Sequence, residues 1–250
     1  MSGPGRPMRP LPIGKQAMIR FEVLENLGVA VAAFSDKADG DCAWSAPQAE
    51  ARQGVLRRCD AAWQDLVCPI QVHGAEILLV EQGDAGRGAL SPETAVGEAD
   101  GLITAATALP LGVTCADCAP IYLYDPRRNV GGVVHAGREG TLRDAAGAAV
   151  RRLETDLHAN PRDIHAVIGP SAGPCCYEVS EELADTFTAA CLFTRGLLLD
   201  LWESNRMLLM TAGVPLENIT VAGRCTICDP DFFSYRRDGA AARQLALFML

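Results

Sequence analysis

Short apolar runs bounded by Gly, Pro and Asp recur along the chain from about residue 70, and such runs predict β-strands. Many of them follow one another closely, with few helical stretches between them. The predicted strands are residues 70–72, 77–80, 100–104, 111–114, 121–124, 130–134, 164–168, 219–222 and 244–250.

Three amphipathic stretches predict helices between these strands. Residues 141–157 place Leu, Ala and Val at helical spacing and end before an Asn-Pro pair. Ser180 predicts the N-cap of a second helix, and residues 200–211 predict a third. Adjacent strands with a few interspersed helices predict an α+β domain of the layered α/β type, with mixed sheets and without the alternation of a barrel.

The length of 250 residues and the lack of any linker-like segment favour one domain, predicted over residues 17–250. Residues 1–16 contain four prolines, three glycines and three basic side chains without an acid, which predicts a flexible N-terminal tail. This start lacks the apolar core of a signal peptide, so we expect a cytoplasmic location. The longest apolar stretch, residues 108–124, is broken by Asp117 and two prolines, and no membrane segment is predicted.

The balance of charge adds a restriction on partners. The chain has 31 acidic and 22 basic side chains, a formal net charge of −9. Because phosphate backbones and anionic membranes attract clustered Lys and Arg, neither nucleic acid nor a membrane is an expected partner. A small-molecule ligand is the preferred expectation, on a monomer or small homo-oligomer.

Candidate chemistry starts from ten cysteines and only four histidines. His73 and His135 each end a predicted strand beside small residues, where a side chain can face a ligand. Cys118 lies beside Asp117 in the turn between two apolar strands. Either histidine alone also fits an ordinary hydrogen-bonded core or turn residue.

Two imidazoles and a thiol are the ligands of an open zinc site, whose fourth position holds water or substrate. They are equally a thiol nucleophile with an imidazole base. At a zinc site with bound water, Asp117 or another nearby acid is a candidate to move the proton. The separations of 45 residues from His73 to Cys118 and 17 from Cys118 to His135 do not distinguish the zinc site from the thiol nucleophile, because the fold must bring the groups together in either case.

The remaining cysteines suggest less. The C-x-x-C pairs at 115–118 and 225–228 invite a four-cysteine zinc site, but more than a hundred residues separate them, far outside the compact ribbon spacing. The vicinal Cys175 and Cys176 are predicted to be one buried thiol and one at a strand edge.

Two segments could hold an anion. The glycine-rich residues 169–175 offer backbone N–H groups and the hydroxyl of Ser171, although a plain structural turn fits as well. Arg236 and Arg237 follow three aromatic residues in the segment 232–235 and could bind phosphate through paired N–H donors, or simply lie at the surface near acids.

Taken together, several motifs closely resemble the YfiH family of laccase-domain proteins, formerly described as multicopper polyphenol oxidases. The resemblance runs from about Gln71 to the C-terminus, and the first 60 residues match weakly. The motifs are QVHGAEI, EADGLIT, GVTCADCAPIYLYDP, VVHAG, IGPSAGPCCYEVSEELADTF, LDLWESN and CTICDPDFFSYRRDG.

The resemblance implies an α-β-β sandwich akin to a group of cysteine hydrolases, and zinc bound by His73, Cys118 and His135. It also implies phosphorolysis of adenosine, inosine and methylthioadenosine, a transferase activity, and hydrolytic deamination of adenosine. Purine nucleosides and phosphate are therefore the expected partners. Multicopper chemistry is not expected, because Cu(II) clusters use many imidazoles and this chain has four histidines.

One position departs from the family pattern. The family usually continues HAG with Trp-Arg-Gly-Thr, whereas this chain has Arg138, Glu139, Gly140 and Thr141. If the usual Arg holds phosphate or ribose, Glu139 repels the anion unless Arg138 replaces that cation. A metal-free hydrolase or amidase built on Cys118 and a non-catalytic, zinc-stabilised binding module remain the alternative functions.

Overall fold

Two β-sheets lie face to face in the computed structural model, which describes residues 18–45 and 50–250. The strands are β1 (Ile19–Arg20), β2 (Val31–Phe34), β3 (Ile77–Leu79), β4 (Gly101–Thr104), β5 (Leu111–Cys115), β6 (Ala119–Asp125), β7 (Val130–Ala136), β8 (His165–Ile168), β9 (Thr194–Arg195), β10 (Leu198–Leu199), β11 (Ile219–Val221) and β12 (Gln244–Met249). The predicted tail, residues 1–16, lies outside the described residues, and the domain boundary at residue 17 stays a prediction.

The larger sheet has six strands in the order β11-β8-β6-β7-β4-β3 and is mixed. Its two outer pairs, β11 with β8 and β3 with β4, are parallel, and the inner pairs are antiparallel. The smaller sheet has the order β1-β2-β12-β5 and is antiparallel throughout. Strands β9 and β10 form a separate antiparallel pair.

The continuous apolar runs reflect burial of the larger sheet on both faces. Every residue of β6 is buried, and successive side chains of a strand point to opposite sides. Tyr122 and Tyr124 belong to the core between the two sheets, while Ile121 and Leu123 belong to the core beneath the helices. The Tyr122 hydroxyl donates to the carbonyl of Ala33 at 2.6 Å and so links the sheets.

The helices are α1 (Glu22–Glu25), α2 (Glu50–Arg58), α3 (Arg138–Leu142), α4 (Ala145–Leu157), α5 (Glu181–Ala189), α6 (Leu201–Thr211) and α7 (Tyr235–Asp238). Helices α4 and α6 cover the outer face of the larger sheet. These layers confirm the predicted single α+β domain with an α-β-β sandwich and mixed sheets. Helix α2, which the sequence pattern did not predict, covers the outer face of the smaller sheet. Within the described residues, no helix has the length and apolar character needed to cross a membrane.

Two predicted elements were wrong in detail. The helix predicted over 141–157 is interrupted, because Asp144 adopts a left-handed φ of 58° and its carboxylate caps α4 by accepting the N–H of Gly147 at 3.0 Å. The strand predicted over 70–72 is only a single bridge between Ile70 and Glu98. The next backbone N–H groups along that segment bind the side chain of Asp100 instead of a neighbouring strand.

Candidate metal and active site

One edge of the larger sheet gathers the reactive side chains. The strand pairings place the beginnings of β3, β4 and β6 beside the ends of β7, β8 and β11. At this edge the ligand atoms of His73, Cys118 and His135 lie within 4.8 Å of one another. His135 is the penultimate residue of β7 and pairs with Pro120, which puts it next to the turn that carries Cys118.

His73 is held at the edge by a carboxylate that sequence analysis missed. The backbone N–H groups of Val72, His73 and Gly74 donate to the buried side chain of Asp100 at 3.3, 3.0 and 2.6 Å. His73 itself has a φ of 57°, a left-handed conformation that costs free energy in a residue with a β-carbon. The loop therefore folds around Asp100 and presents the imidazole to the site.

Asp100 also fixes the second histidine. The Nδ1 atom of His135 lies 2.9 Å from Oδ1 of Asp100, and both side chains are buried. Although burial opposes ionisation, the hydrogen bonds from His135 and from the Gly74 N–H lower the pKa of Asp100. A carboxylate on Nδ1 leaves Nε2 as the free nitrogen of His135, which is the arrangement found around metal-binding histidines.

The thiol and the imidazole of the site stabilise each other as an ion pair. Burial opposes ionisation of Cys118, but the charge on His135 and hydrogen bonds from both histidines lower its pKa to about 6. Burial likewise disfavours the cation of His135, but the thiolate and Asp100 raise its pKa to about 9. The geometry thus favours a thiolate at neutral pH, the form that binds metals or attacks carbon.

A glycine makes room for this cluster. A β-carbon on Gly137 would lie 2.6 Å from Sγ of Cys118 and 3.9 Å from Cδ2 of His73. The two imidazole rings meet edge to face, with centroids 5.0 Å apart and an interplanar angle of 85°. Any side chain at position 137 would therefore displace the thiol from the histidines.

Asp117 is turned away from the cluster by its backbone and its contacts. With a φ of 83°, it directs its carboxylate to the hydroxyls of Thr226 and Ser234 at 2.6 and 3.0 Å and to the N–H of Arg236 at 2.7 Å. These bonds tie the Cys118 turn to the segment that leads into α7. We therefore assign Asp117 a positioning role, and the predicted proton transfer by this residue remains untested.

The predicted anion-binding residues fall into two groups. Arg237 donates to the carbonyls of Thr226 and Phe232 at 2.9 and 2.7 Å and pairs with Asp238, and these bonds hold its own loop. Ser171 is buried, and its hydroxyl accepts the indole N–H of Trp202 at 2.7 Å. In these positions both side chains bind protein groups.

Arg236 lies against Tyr177, a nearly buried residue that sequence analysis did not single out. The Arg236 guanidinium lies 5.1 Å from the centre of the Tyr177 ring. Burial and the charge of Cys118 raise the pKa of the Tyr177 phenol, and the charges of Arg138 and Arg236 oppose that rise. The charges of Arg138, Arg236 and Cys118 therefore all act on the Tyr177 phenol, so both arginines lie on the Tyr177 side of the site.

Glu139, which stands where the family usually has Arg, pairs with its neighbour Arg138. Oε1 of Glu139 lies 3.5 Å from Nε of Arg138, and both side chains are about half exposed. Glu139 thus neutralises the nearest cation on this side of the site.

Two imidazoles and one thiolate gathered at one sheet edge define a mononuclear metal site or a thiol–imidazole site. The chain belongs to the YfiH family of laccase-domain proteins: residues 44–250 match the family described as multi-copper polyphenol oxidoreductase laccase. Of the other two histidines, His165 begins β8 at the end of that strand away from the site, and His158 is the C-cap of α4.

Relatives and solved structures agree with this membership. Purine nucleoside phosphorylase YlmD of Geobacillus stearothermophilus is 42% identical over 192 residues, which cover 72% of this chain and 70% of the relative. Adenosine deaminase RL5, from an unknown prokaryotic organism, is 31% identical over 76% of each chain. The crystal structure of YfiH from Bacillus licheniformis superposes with a TM-score of 0.85 at 31% identity, covering 94% of this chain and 96% of that one. These two curated relatives thus carry the names of enzymes that act on purine nucleosides.

Asp100→Asn is expected to lower metal affinity by about 10- to 100-fold, because an amide cannot accept all four donors that the carboxylate now orients. Competition with a chromogenic chelator measures this affinity. Asp125→Asn is the matched control: Asp125 is equally buried and accepts N–H groups of Arg127 and Asn160 at the far end of β6. Equal loss of metal in both variants would show that Asp100 acts only on stability.

Proposed function

We propose that this protein is a zinc-dependent enzyme of purine nucleosides. The donor set carries the proposal: two imidazoles and a thiolate are the number and type of protein ligands that leave zinc an open position. The names of the relatives support nucleoside phosphorolysis and adenosine deamination as its reactions. His73, Cys118 and His135 would hold the ion.

When bound, Zn²⁺ supplies Lewis acidity and makes water a stronger nucleophile at neutral pH. The chain's own residues prepare the site for it. Asp100 holds Nδ1 of His135 and so leaves Nε2 as the nitrogen available to an ion, and the groups around Cys118 favour its thiolate. Gly137 leaves the space in which the three ligand atoms converge.

For phosphorolysis, a phosphate oxygen forms a bond to C1′ while the bond from C1′ to the purine nitrogen breaks. The electron pair of that bond leaves with the purine, which takes up a proton. Arg236 and Arg138, whose charges both act on the Tyr177 phenol, would hold the incoming phosphate. Cationic side chains fixed near the reacting carbon stabilise the charge that moves in this step.

Product analysis tests the proposed reactions. Adenosine and inosine are incubated with the pure protein, with and without phosphate, and the products are separated by chromatography. Free base and ribose 1-phosphate formed only with phosphate would establish phosphorolysis, and inosine formed from adenosine without phosphate would establish deamination. No turnover of either nucleoside would leave the binding module and the cysteine hydrolase as the alternatives.

Glu139→Gln is expected to lower the KM for phosphate by about two- to fivefold, because it frees Arg138 from a half-exposed ion pair worth roughly 0.2–1 kcal/mol. Steady-state kinetics with varied phosphate measure the effect, and kcat should change little. Glu182→Gln, at an exposed position in the first turn of α5, is the control for loss of one negative charge. An unchanged KM in Glu139→Gln would show that this side of the site does not bind the phosphate.

A second function, a metal-free cysteine hydrolase, is favoured by one observation: the contact between Cys118 and His135 lowers the pKa of the thiol and raises the pKa of the imidazole. In such an enzyme Cys118 would attack a carbonyl or amidine carbon, and His135 would protonate the leaving group. Activity that survives complete removal of metal but is lost on alkylation of Cys118 would establish this alternative.

A further inference from the structure

Four cysteines form a second cluster that shares no residue with the His73 site. The sulfur atoms of Cys175, Cys176, Cys225 and Cys228 all lie within 4.8 Å of one another. Sγ of Cys228 is 2.9 Å from that of Cys176 and 3.4 Å from that of Cys175. Neither vicinal cysteine is buried, so the expected buried member of that pair was wrong.

The sheet explains why residues 50 positions apart in sequence meet. Strands β8 and β11 are parallel neighbours, with Ile168 opposite Val221. Loops that follow neighbouring parallel strands leave the sheet at the same edge, and a further parallel bridge joins Ser171 to Cys225. The C-x-x-C pair at 225–228 is therefore brought to the vicinal cysteines, whereas Cys115 of the other pair is buried in the core between the sheets.

Backbone donors surround one of the four sulfurs. The N–H of Gly173 donates to Sγ of Cys225 at 3.2 Å, and the N–H groups of Ile227 and Cys228 point to the same atom. Such donors stabilise a thiolate more than a neutral thiol, since the N–H dipoles are directed at the negative charge. The turn thus favours the negatively charged form of the Cys225 sulfur, the form that binds a metal.

We propose that Cys175, Cys176, Cys225 and Cys228 form a closed tetrathiolate site for one Zn²⁺ ion. Four thiolates at a Zn–S distance of about 2.3 Å place their sulfurs about 3.8 Å apart in a tetrahedron. Two of the separations, 2.9 and 3.4 Å, are somewhat shorter than this value, and none exceeds 4.8 Å, so the side chains need only small rotations to bind. An iron–sulfur cluster, which sets several irons and sulfides between the thiolates, requires a wider arrangement.

The proposed zinc ion would join two loops that both bind Asp117, the neighbour of Cys118 in the His73 site. On one loop, the N–H of Ala172 donates to the carbonyl of Asp117 at 2.8 Å. On the other, the hydroxyl of Thr226 donates to the Asp117 carboxylate, and Arg237 donates to the carbonyl of Ile227 within the C-x-x-C turn. A closed four-thiolate site has no open position for substrate, so its role is structural.

A disulfide between Cys176 and Cys228 is the competing arrangement. It would need an oxidant to remove two electrons and two protons from the thiols, and it would leave too few ligands for the ion. The metal content and the redox state of the same sample therefore distinguish the two arrangements.

The test counts zinc in the full-length protein purified under anaerobic conditions without a thiol reductant. The wild type is expected to contain two zinc ions per chain, His73→Ala one, Cys228→Ser one and the double variant none. Cys191→Ser is the matched control, because Cys191 is exposed and lies outside both clusters, and it should keep two ions. Thermal unfolding should shift to lower temperature in Cys228→Ser, and catalysis need not be lost.

A second measurement does not depend on how the variants fold. Co²⁺ added to the metal-depleted His73→Ala protein should give the thiolate charge-transfer bands of a four-sulfur site, and prior alkylation of the thiols should abolish them. The proposal would be overturned if the wild type held one ion per chain and His73→Ala held none. It would also be overturned if the intact mass of the unfolded wild type were lower by two hydrogens, as a disulfide requires, and a reductant restored them. Because this site is independent of the His73 site, failure of nucleoside turnover would not affect it.

Discussion

The Cys118→Ser variant is expected to bind no metal at the His73 site. Its kcat/KM for nucleosides should fall by more than about 100-fold. Removal of a direct ligand should exceed the loss of about 10- to 100-fold typical of groups that merely orient ligands. The serine hydroxyl is nearly the same size, but it does not ionise at neutral pH, whereas the thiol of Cys118 has a pKa lowered to about 6. The change therefore removes charge and ligation while keeping shape.

Metal analysis together with kcat/KM on the same sample checks this expectation. Cys191→Ser, an exposed cysteine outside both clusters, should retain metal and activity. A Cys118→Ser protein with full turnover would remove the thiol from the chemistry. Retained metal with lost turnover would instead point to Cys118 as the nucleophile of the hydrolase alternative.

Gly137→Ala is expected to reduce metal affinity and kcat/KM by about 100-fold, through a single methyl group. That methyl would lie 2.6 Å from Sγ of Cys118, so the thiol or the strand end must move, and a displacement of this size at a reacting centre costs about that factor. Overpacking of a filled interior costs a further 1–3 kcal/mol or so of stability. Chelator competition and thermal unfolding measure the two effects separately.

Gly54→Ala provides the comparison for Gly137→Ala. Gly54 lies in α2, where an added β-carbon meets nothing within 4 Å, so alanine should stabilise the helix by up to about 1 kcal/mol without affecting turnover. An unaltered metal affinity in Gly137→Ala would mean that the ligands do not need the close approach seen at this glycine.

The sequence predicted the strands better than the features that join them. Strand β6 is apolar at nearly every position because both of its faces are buried, and such a run is visible without a fold. Helix α4 was overextended because the interruption depends on the left-handed backbone of Asp144, which periodicity does not register. Helix α2 was missed because its few apolar residues lie among charged ones, so the sequence shows only a short apolar face.

The three central side chains were predictable because each is chemically uncommon and sits beside small residues. The role of Asp100 was not predictable, since an acid directly before a strand is a common residue at strand boundaries. Its role depends on the antiparallel pairing of β4 with β7, which brings it to His135. The four-cysteine cluster was missed for a similar reason: the parallel pairing of β8 with β11 joins cysteine pairs that sequence spacing keeps apart.

The most direct measurement follows phosphate-dependent cleavage of inosine by protein of known metal content, before and after chelation and again after zinc is added back. Turnover should fall with the metal lost from the His73 site and return with zinc, and His73→Ala should remain inactive throughout. Full turnover by metal-free protein, abolished by alkylation of Cys118, would contradict the proposed zinc-dependent function.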